Sequence, residues 1–249
     1  MGRNSQLWIP EKDMPNHHSL TTCTLLLLIS TATTARQLAA ADNQLTDDEK
    51  KAGWMLLFDG KSLAGWMTSS QEPSKTEVEE GALNPHKCGG YMLIHEKTWE
   101  NFQLALDFKL SKGCNSGIFI RTFPLKPRPG KDVGFNGIEV ALDDTTGTGF
   151  HDTGAIYDLV EPKRNAMKPV GEWNHAVITC EKNWITIELN GEEVTKMDLD
   201  QFAEPNRRPD GSQHKFDVAY KDHPRRGYIG LQDHGSPCWF KNIKLKEIK

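Results

Sequence analysis

The chain has 249 residues and a formal net charge of −4 at pH 7, and 26% of its residues are charged. A mildly acidic chain without a basic stripe argues against a nucleic-acid-binding protein. The length suits one large domain, since single all-β domains often reach roughly 200 to 250 residues.

Residues 1–41 have the pattern of a secretory signal peptide. The apolar run Leu25–Ile29 is followed by the small residues Ala39–Ala41, which form a cleavage pattern before Asp42. The run is too short to cross a bilayer, which needs about 20 apolar residues. We therefore predict a secreted or periplasmic domain at 42–249 without a membrane span. A buried or disordered N-terminal segment is the alternative.

The predicted domain retains four cysteines, which are Cys88, Cys114, Cys180 and Cys238. Their wide spacing matches no zinc-binding pattern. An oxidising compartment would permit disulfides. Buried free thiols are at least as good an interpretation, because the sequence does not specify pairing.

Residues 42–249 read as short strands separated by Gly, Pro and Asn, after one short helical segment with an acidic start at Asp47–Trp54. Asn190-Gly191 is a strong hairpin signal, because a type I′ turn needs positive φ at both central residues. Thr145–Thr153 is predicted to be a mobile surface loop. Many short strands with almost no helical periodicity predict a β-sandwich. The predicted strands are Leu104–Leu110, Ile118–Arg121, Ile138–Leu142, Ala176–Cys180, Trp184–Leu189, a short strand around Val194, and a final pair within Gly227–Ile248.

Three of these strands are amphipathic in the same way, with apolar residues on one face and polar residues on the other. Period-two alternation places the apolar side in a core. If the other sides line one concave sheet, an amide-, carboxylate- and imidazole-rich cleft forms. Its candidate residues are Asn115, Arg121, Glu139, Asp143, Gln232 and His234. A solvated outer face is the alternative for each residue taken alone.

These side chains suit a polyhydroxylated ligand such as a sugar. Carboxylates, amides and Arg bind paired hydroxyl groups, and sugar rings stack on aromatic side chains. The aromatic candidates are Trp66, Trp99, Tyr157 and Trp173, whereas core packing is the favoured interpretation for Trp184 and Trp239.

The spacing of the carboxylates argues against a conventional glycosidase. Such enzymes use two carboxyl groups about 5 to 9.5 Å apart. Glu139 and Asp143 lie four residues apart on one strand, so their Cα atoms are separated by roughly 13 Å. A bulge could shorten that distance, but the spacing favours one carboxylate that acts as a lone base.

The sequence assigns no cofactor and no metal. It lacks a Walker loop, a glycine-rich dinucleotide loop, a Gly-x-Ser-x-Gly motif and a His-Glu-x-x-His motif. His151-Asp152 and Asp233-His234 could contribute to a divalent metal site, but no third ligand lies at a recognisable spacing.

Eight segments in order resemble the 3-keto-disaccharide hydrolase family, also described as 3-keto-glucoside lyase/hydratase. Each is weak alone, but together they cover about Gly53 to Ile248, and the last of them is Gly227–Ile243. They include Leu57-Phe-Asp-Gly-Lys-Ser-Leu-Ala-Gly-Trp66, Val78-Glu-Glu-Gly-Ala-Leu83, Asn115-Ser-Gly-Ile-Phe-Ile-Arg121, Gly137-Ile-Glu-Val-Ala-Leu-Asp143, Gly154-Ala-Ile-Tyr157, Lys168-Pro-Val-Gly-Glu-Trp-Asn174 and Leu189-Asn-Gly191. The resemblance implies a concanavalin A-like jelly roll.

The resemblance also implies action on a sugar already oxidised at C3. The ketone acidifies the C2 proton, and a base that removes it allows the aglycone on C1 to leave before water adds back. We expect Glu139 to be the base and Arg121 and His234 to stabilise the enolate or donate a proton. The remaining site residues are expected to bind the sugar: Asn115, Asp143, Tyr157, Trp173 and Gln232.

The chain departs from the family pattern at two positions. Ala141 stands where the family often has Gln, and Thr76 stands where it often has Trp. The first change removes an expected hydroxyl contact from the face that carries Glu139. A non-catalytic, lectin-like carbohydrate-binding domain is the alternative function, since jelly rolls serve both roles. The environment of Glu139 separates the two, because a base in a closed pocket has a raised pKa.

Overall fold

Antiparallel strands make up nearly all the regular structure of residues 41–249, the part of the chain that the computed structural model describes. The predicted signal peptide at 1–41 lies outside the described residues apart from Ala41. Within the described residues, no helix has the length and apolarity needed to cross a bilayer.

The strands form two sheets. The back sheet has eight strands, which are β1 (Met55–Leu56), β3 (Val78–Glu79), β4 (Ala82–Leu83), β6 (Phe102–Leu110), β9 (Asn174–Glu181), β10 (Trp184–Leu189), β11 (Glu192–Asp198) and β13 (Cys238–Glu247). Their order is β11-β10-β9-β6-β13-β4-β3, with β1 also paired to β13.

The cleft sheet has five strands, which are β2 (Trp66–Thr68), β5 (Met92–Trp99), β7 (Asn115–Thr122), β8 (Ile138–Asp143) and β12 (Gly227–Gln232). Their order is β2-β5-β12-β7-β8.

One hydrophobic core joins the inner faces of the two sheets. Ile118 and Leu231 from the cleft sheet and Leu104 and Ile178 from the back sheet are fully buried in one cluster. Alternating apolar residues on each strand produce this arrangement, because successive side chains point to opposite faces. The predicted β-sandwich is confirmed, and its jelly-roll arrangement leaves the outer face of the cleft sheet for other chemistry.

That outer face carries a second, smaller apolar cluster. Met92 and Ile94 of β5 and Phe119 of β7 are buried there, beneath Leu125 and Val133. The last two residues belong to the long connection between β7 and β8. This connection therefore folds back over the outer face and forms one wall of a cleft.

Short helical segments connect some of the strands. The α-helix α1 spans Asp47–Lys51 and begins with a capping box in which Thr46 and Glu49 bond each other's backbone. The helical turn predicted near the start of the domain is thus confirmed. Three 3₁₀ turns follow at Val133–Asn136, Leu199–Gln201 and Tyr220–Asp222.

The four cysteines of the described residues are buried free thiols. Cys114 and Cys238 are neighbours, since each hydrogen bonds with the other's side chain. The turn before β7 explains this proximity, because the Ser111 amide donates to the Pro237 carbonyl and the Cys114 amide to the Ser111 carbonyl. The structure therefore agrees with the interpretation that these cysteines are free thiols and not disulfides.

Candidate active site

Glu139 lies on the outer face of β8 and is positioned by the neighbouring strand. In the ladder between β7 and β8 it pairs with Phe119, and Ala141 pairs with Gly117. A Cβ atom on Gly117 would lie only 2.7 Å from Glu139 Oε1. The Glu139 carboxyl group therefore extends over Gly117, in space that any larger residue would occupy.

The surroundings of this carboxyl group favour its protonated form. Burial raises the pKa of Glu139 to about 8, Asp132 adds to the rise, and the positive charge of Lys215 opposes it. Among the described residues, no donor hydrogen bonds to the carboxyl oxygens, although the Tyr157 amide donates to the Glu139 backbone carbonyl at 2.9 Å. Glu139 is thus a desolvated carboxyl group whose pKa lies near neutrality, as a general base requires.

Lys215 is the cation of this site, and sequence reasoning missed it. Its ammonium nitrogen lies 4.1 Å from the centroid of the Tyr157 ring and 5.4 Å from that of Phe135. Its backbone amide donates to Asp158 Oδ2 at 2.7 Å, which fixes the loop. Lys215 sits in an irregular segment without strand periodicity, so no sequence signal linked it to β8.

Tyr157 is a neighbour of Glu139. The pKa of its hydroxyl is raised by burial and by the charges of Glu139 and Asp158. Its ring stacks on the ring of His151, with centroids 4.5 Å apart and planes 19° apart. His151 belongs to the predicted surface loop, which places that loop at the edge of the cleft.

Gln232 lies on the floor of the cleft beside Tyr91. Its Nε2 atom donates to the Tyr91 hydroxyl at 2.9 Å, whereas its Oε1 atom is buried without a hydrogen-bond partner. The pKa of Tyr91 is raised by burial, with smaller contributions from Asp132 and Glu139. Gln232 therefore keeps an unused acceptor on the floor of the cleft.

A second polar group lies further along the cleft. Asn115 pairs with Asp143 across β7 and β8. Burial raises the pKa of Asp143, and His151 and His234 partly offset the rise. His234 follows the end of β12 and is exposed. The structure thus brings Asn115, Asp143 and His234 together, apart from the group formed by Glu139, Tyr157 and Gln232.

The prediction that Arg121 shares the face of Asn115 is wrong. β7 contains a bulge opposite β12, and Arg121 has a φ of 52° there. The bulge reverses the alternation, so the side chain is fully buried and donates to the Glu100 carbonyl, with Nη2 to oxygen at 3.0 Å. Cys180 of the back sheet is an electrostatic neighbour. Arg121 lies between the sheets and does not line the cleft.

The tryptophans that were candidates for the cleft or the core lie in three different parts of the structure. Trp173 lies against Lys109 and Lys241 of the back sheet, with Nζ atoms 5.0 and 4.4 Å from its ring centroid, so its predicted place in the cleft is wrong. Trp66 and Trp99 are buried in the main core. Trp184, which was expected in the core, is 40% exposed. Sequence alternation specifies a face of a strand but not the sheet to which the strand belongs.

A cavity of about 510 Å³ lies beneath the connection between β7 and β8. Tyr91, Leu125, Asp132 and Val133 line it, and Ser69 lies at its other side. A volume of this size is typical of small-molecule sites. The cavity combines the apolar wall from the connection between β7 and β8 with Tyr91 and Asp132, which are electrostatic neighbours of Glu139.

The acidic and imidazole side chains of this cleft do not converge as metal ligands. In residues 41–249, no group of three or more His, Cys, Asp or Glu side chains is placed to hold a metal ion. Asp233 instead accepts the Lys87 amide at 2.8 Å, and Asp152 accepts the Thr145 hydroxyl and the Gly149 amide.

The sequence profile of the 3-keto-alpha-glucoside-1,2-lyase-like domain matches residues 53–246. The chain belongs to this family. The match covers both sheets and every residue of the cleft, so the predicted family is confirmed.

Individual relatives agree with this assignment. A Bacteroides thetaiotaomicron protein named 3-keto-disaccharide hydrolase is 29% identical over 229 residues, which is 79% of each chain. A crystal structure from Parabacteroides distasonis, described provisionally as a glycosyl hydrolase, is 26% identical, has a TM-score of 0.67, and covers 84% of this chain and all of its own. A second such structure from that organism is 29% identical, with a TM-score of 0.64, and covers 78% of this chain and 99% of its own. The expected glycoside hydrolase class is therefore confirmed.

One of the two departures from the family pattern lies in the cleft. Ala141 is 2% exposed. Its amide donates to the Ala155 carbonyl, and its carbonyl accepts the Gly154 amide. Ala141 therefore adds no polar group between Glu139 and Asp143. Thr76 lies away from this position and hydrogen bonds with the Ser74 hydroxyl at 2.9 Å.

Proposed function

We propose that this protein cleaves the glycosidic bond of 3-keto-glucosides by elimination followed by hydration. Glu139 removes the C2 proton, and the electrons of the C–H bond form an enolate with the C3 oxygen. Collapse of the enolate breaks the bond between C1 and the aglycone oxygen, and the aglycone leaves with a proton. Water then adds to C1 and C2 regains a proton, so the net reaction is hydrolysis.

The observation that carries this proposal is the isolation of Glu139. Its carboxyl group is desolvated, has a pKa of about 8 and accepts no hydrogen bond from the described residues. A conventional glycosidase needs a second carboxyl group at a defined distance. The neighbouring Asp132 instead accepts the Gly134 amide at 2.8 Å as the cap of a 3₁₀ turn, and Asp143 belongs to the other polar group. One base near neutral pKa supports proton abstraction next to a ketone.

Lys215 takes the role that sequence reasoning gave to Arg121. An enolate oxygen carries negative charge in the transition state, and a fixed cation lowers the energy of that charge. Lys215 is the cation whose charge acts on Glu139, and it also lies over the ring of Tyr157. Lys215 would therefore face the C3 oxygen of a sugar whose C2 proton faces Glu139.

The remaining polar side chains are placed to bind hydroxyl groups. The free Oε1 atom of Gln232 offers an acceptor close to the base. Asn115, Asp143 and the exposed His234 would bind the unit on the other side of the scissile bond. His151 covers one face of the Tyr157 ring and Lys215 the other, so Tyr157 would bind the sugar through its phenol hydroxyl and not by stacking.

A lectin-like role is the competing interpretation, and the two differ in one experiment. Purified protein is incubated with a 3-keto-disaccharide and with the same disaccharide unoxidised, and released monosaccharide is measured. The proposal predicts release from the ketosugar and none from the unoxidised sugar. Binding of both sugars without release of either would support the lectin-like alternative and overturn the proposal.

A further inference from the structure

A second cavity of about 350 Å³ lies between the edge of the back sheet and the loop that carries Arg208. Its walls include Phe150, Trp184, Asp198, Gln201 and Arg208. None of these residues belongs to the polar groups around Glu139 or Asp143. We propose that this cavity is a second saccharide-binding site, which takes a neutral sugar unit without regard to its oxidation at C3.

Trp184 is the first observation in favour of a ligand. It is the first residue of β10 and pairs with Asp198 of β11. The alternation that buries Ile185 and Ile187 places the Trp184 indole on the opposite face, where it is 40% exposed. The Lys196 ammonium lies 4.6 Å from the centroid of the indole. The indole surface that stays exposed gains free energy when a ligand covers it, and sugar rings offer the apolar face for such a contact.

Arg208 contributes a buried guanidinium group to the wall of the same cavity. Its side chain is 8% exposed, and its Nη2 atom lies 2.7 Å from Asp158 Oδ1. The guanidinium carbon lies 3.8 Å from the centroid of the Phe150 ring. The Nε–H group is nevertheless buried without a hydrogen-bond partner. A buried donor without an acceptor is destabilising, and a ligand hydroxyl that reached the Nε–H group would satisfy it.

The charges of the cavity favour a neutral ligand. Glu161, Asp198 and Asp210 line it together with Lys196 and Arg208, and Arg208 is already paired with Asp158. The remaining charges are mainly acidic, which disfavours phosphate or uronate groups. Carboxylates beside an aromatic ring are suited to the paired hydroxyl groups of a neutral sugar.

The cavity shares a wall with the cleft. Phe150 precedes His151 in sequence, and Asp158 follows Tyr157. The Asp158 amide donates to the Phe150 carbonyl at 2.9 Å, and Arg208 packs against both residues. The segment 150–158 thus contributes residues to both sites, so a glycan held at the second site would lie next to the cleft.

Isothermal titration with unoxidised maltohexaose and laminarihexaose tests the site, because neither sugar is a substrate for the proposed elimination. We expect wild type and Glu139→Gln to bind at least one of them with equal affinity. Trp184→Ala should lower the affinity at least tenfold, or remove one of two binding events. Trp173→Ala, which removes an indole from the outer face of the back sheet, is the matched control and should bind as wild type does.

Two results would overturn the proposal: no binding of either oligosaccharide to wild type, or unchanged binding by Trp184→Ala. Thermal unfolding checks that the variants fold. If Trp184→Ala does not fold, Trp184→Thr replaces it, since a β-branched residue suits a strand. Loss of turnover in Glu139→Gln has no bearing on this binding, so failure here and failure of the elimination mechanism are distinguishable.

Discussion

The Glu139 carboxyl group occupies the space that a side chain on Gly117 would fill, since a Cβ atom there would lie 2.7 Å from Oε1 and 2.8 Å from Cγ. These two residues lie on adjacent strands of the cleft sheet. The absence of a side chain at Gly117 thus lets the carboxyl group rest against the floor of the cleft. A larger residue there would displace the carboxyl group from the surroundings whose burial raises its pKa.

Gly117→Ala should therefore inactivate the enzyme without unfolding it. The new methyl group would push the carboxyl group away from the floor, and a displacement of about 1 Å can cost on the order of 100-fold in rate. Gly230→Ala is the matched control, because its Cβ atom would meet the thioether of Met92 and not the base. Steady-state kinetics on a 3-keto-disaccharide would show whether the two variants differ. Equal rates in both would contradict the positioning role of Gly117.

The pH dependence of the reaction follows from the pKa of Glu139. A base must be deprotonated, so with a pKa of about 8 the value of kcat/KM should rise about tenfold per pH unit below pH 8 and level off above it. A pH–rate profile between pH 5 and pH 10 measures this. A rate that is constant from pH 5 to pH 8 would show that the base has an ordinary carboxyl pKa or is another group.

Removal of Lys215 should change both the rate and the pH profile. Its positive charge lowers the pKa of Glu139, so Lys215→Met should move the rising limb to higher pH. The loss of a cation at the enolate oxygen should also lower kcat by about 100-fold, and Lys215→Arg should restore part of the rate. If Lys215→Met kept the wild-type rate and pH profile, the cation would have no part in the reaction.

Glu139 should also make folding stability depend on pH. Its folded-state pKa lies above the ordinary value of 4.5, so the folded state binds the proton more tightly. The resulting stability is fully present below about pH 4.5 and is lost as pH rises through about 8. Glu139→Gln cannot lose it, so its Tm should exceed that of wild type at pH 9 and approach it at pH 5. Glu181→Gln, at an exposed strand end, is the control, and its Tm should differ from that of wild type by the same amount at pH 5 and pH 9.

Arg121 should prove dispensable for the chemistry. Its guanidinium group lies between the sheets and bonds the Glu100 carbonyl, away from the cleft. Arg121→Met fills a similar volume, so its Tm should change while kcat per folded molecule stays within about threefold of wild type. A loss of 100-fold or more in kcat with an unchanged fold would contradict this prediction and show that Arg121 contributes to catalysis.

The sequence predicts the sandwich and half of the candidate site for one reason, the period-two alternation of strands. Alternation placed Glu139 and Gln232 on the outer face correctly. It failed at Arg121, because the bulge in β7 reverses the face and leaves no mark in the sequence. It could not place Trp173, which directly precedes β9, because long-range pairing decides which sheet β9 joins. Lys215 lies in an irregular segment whose position is set only when the chain closes over β8.

Deuterium incorporation at C2 tests the central claim most directly, because only removal of the C2 proton exposes that carbon to solvent. The enzyme is incubated with a 3-keto-disaccharide in D₂O, and the released 3-keto sugar is analysed at once by NMR. A sample of the 3-keto sugar without enzyme corrects for spontaneous exchange. The proposed mechanism predicts deuterium at C2 with wild type and neither release nor exchange with Glu139→Gln. Release of a 3-keto sugar that keeps its C2 proton would contradict it.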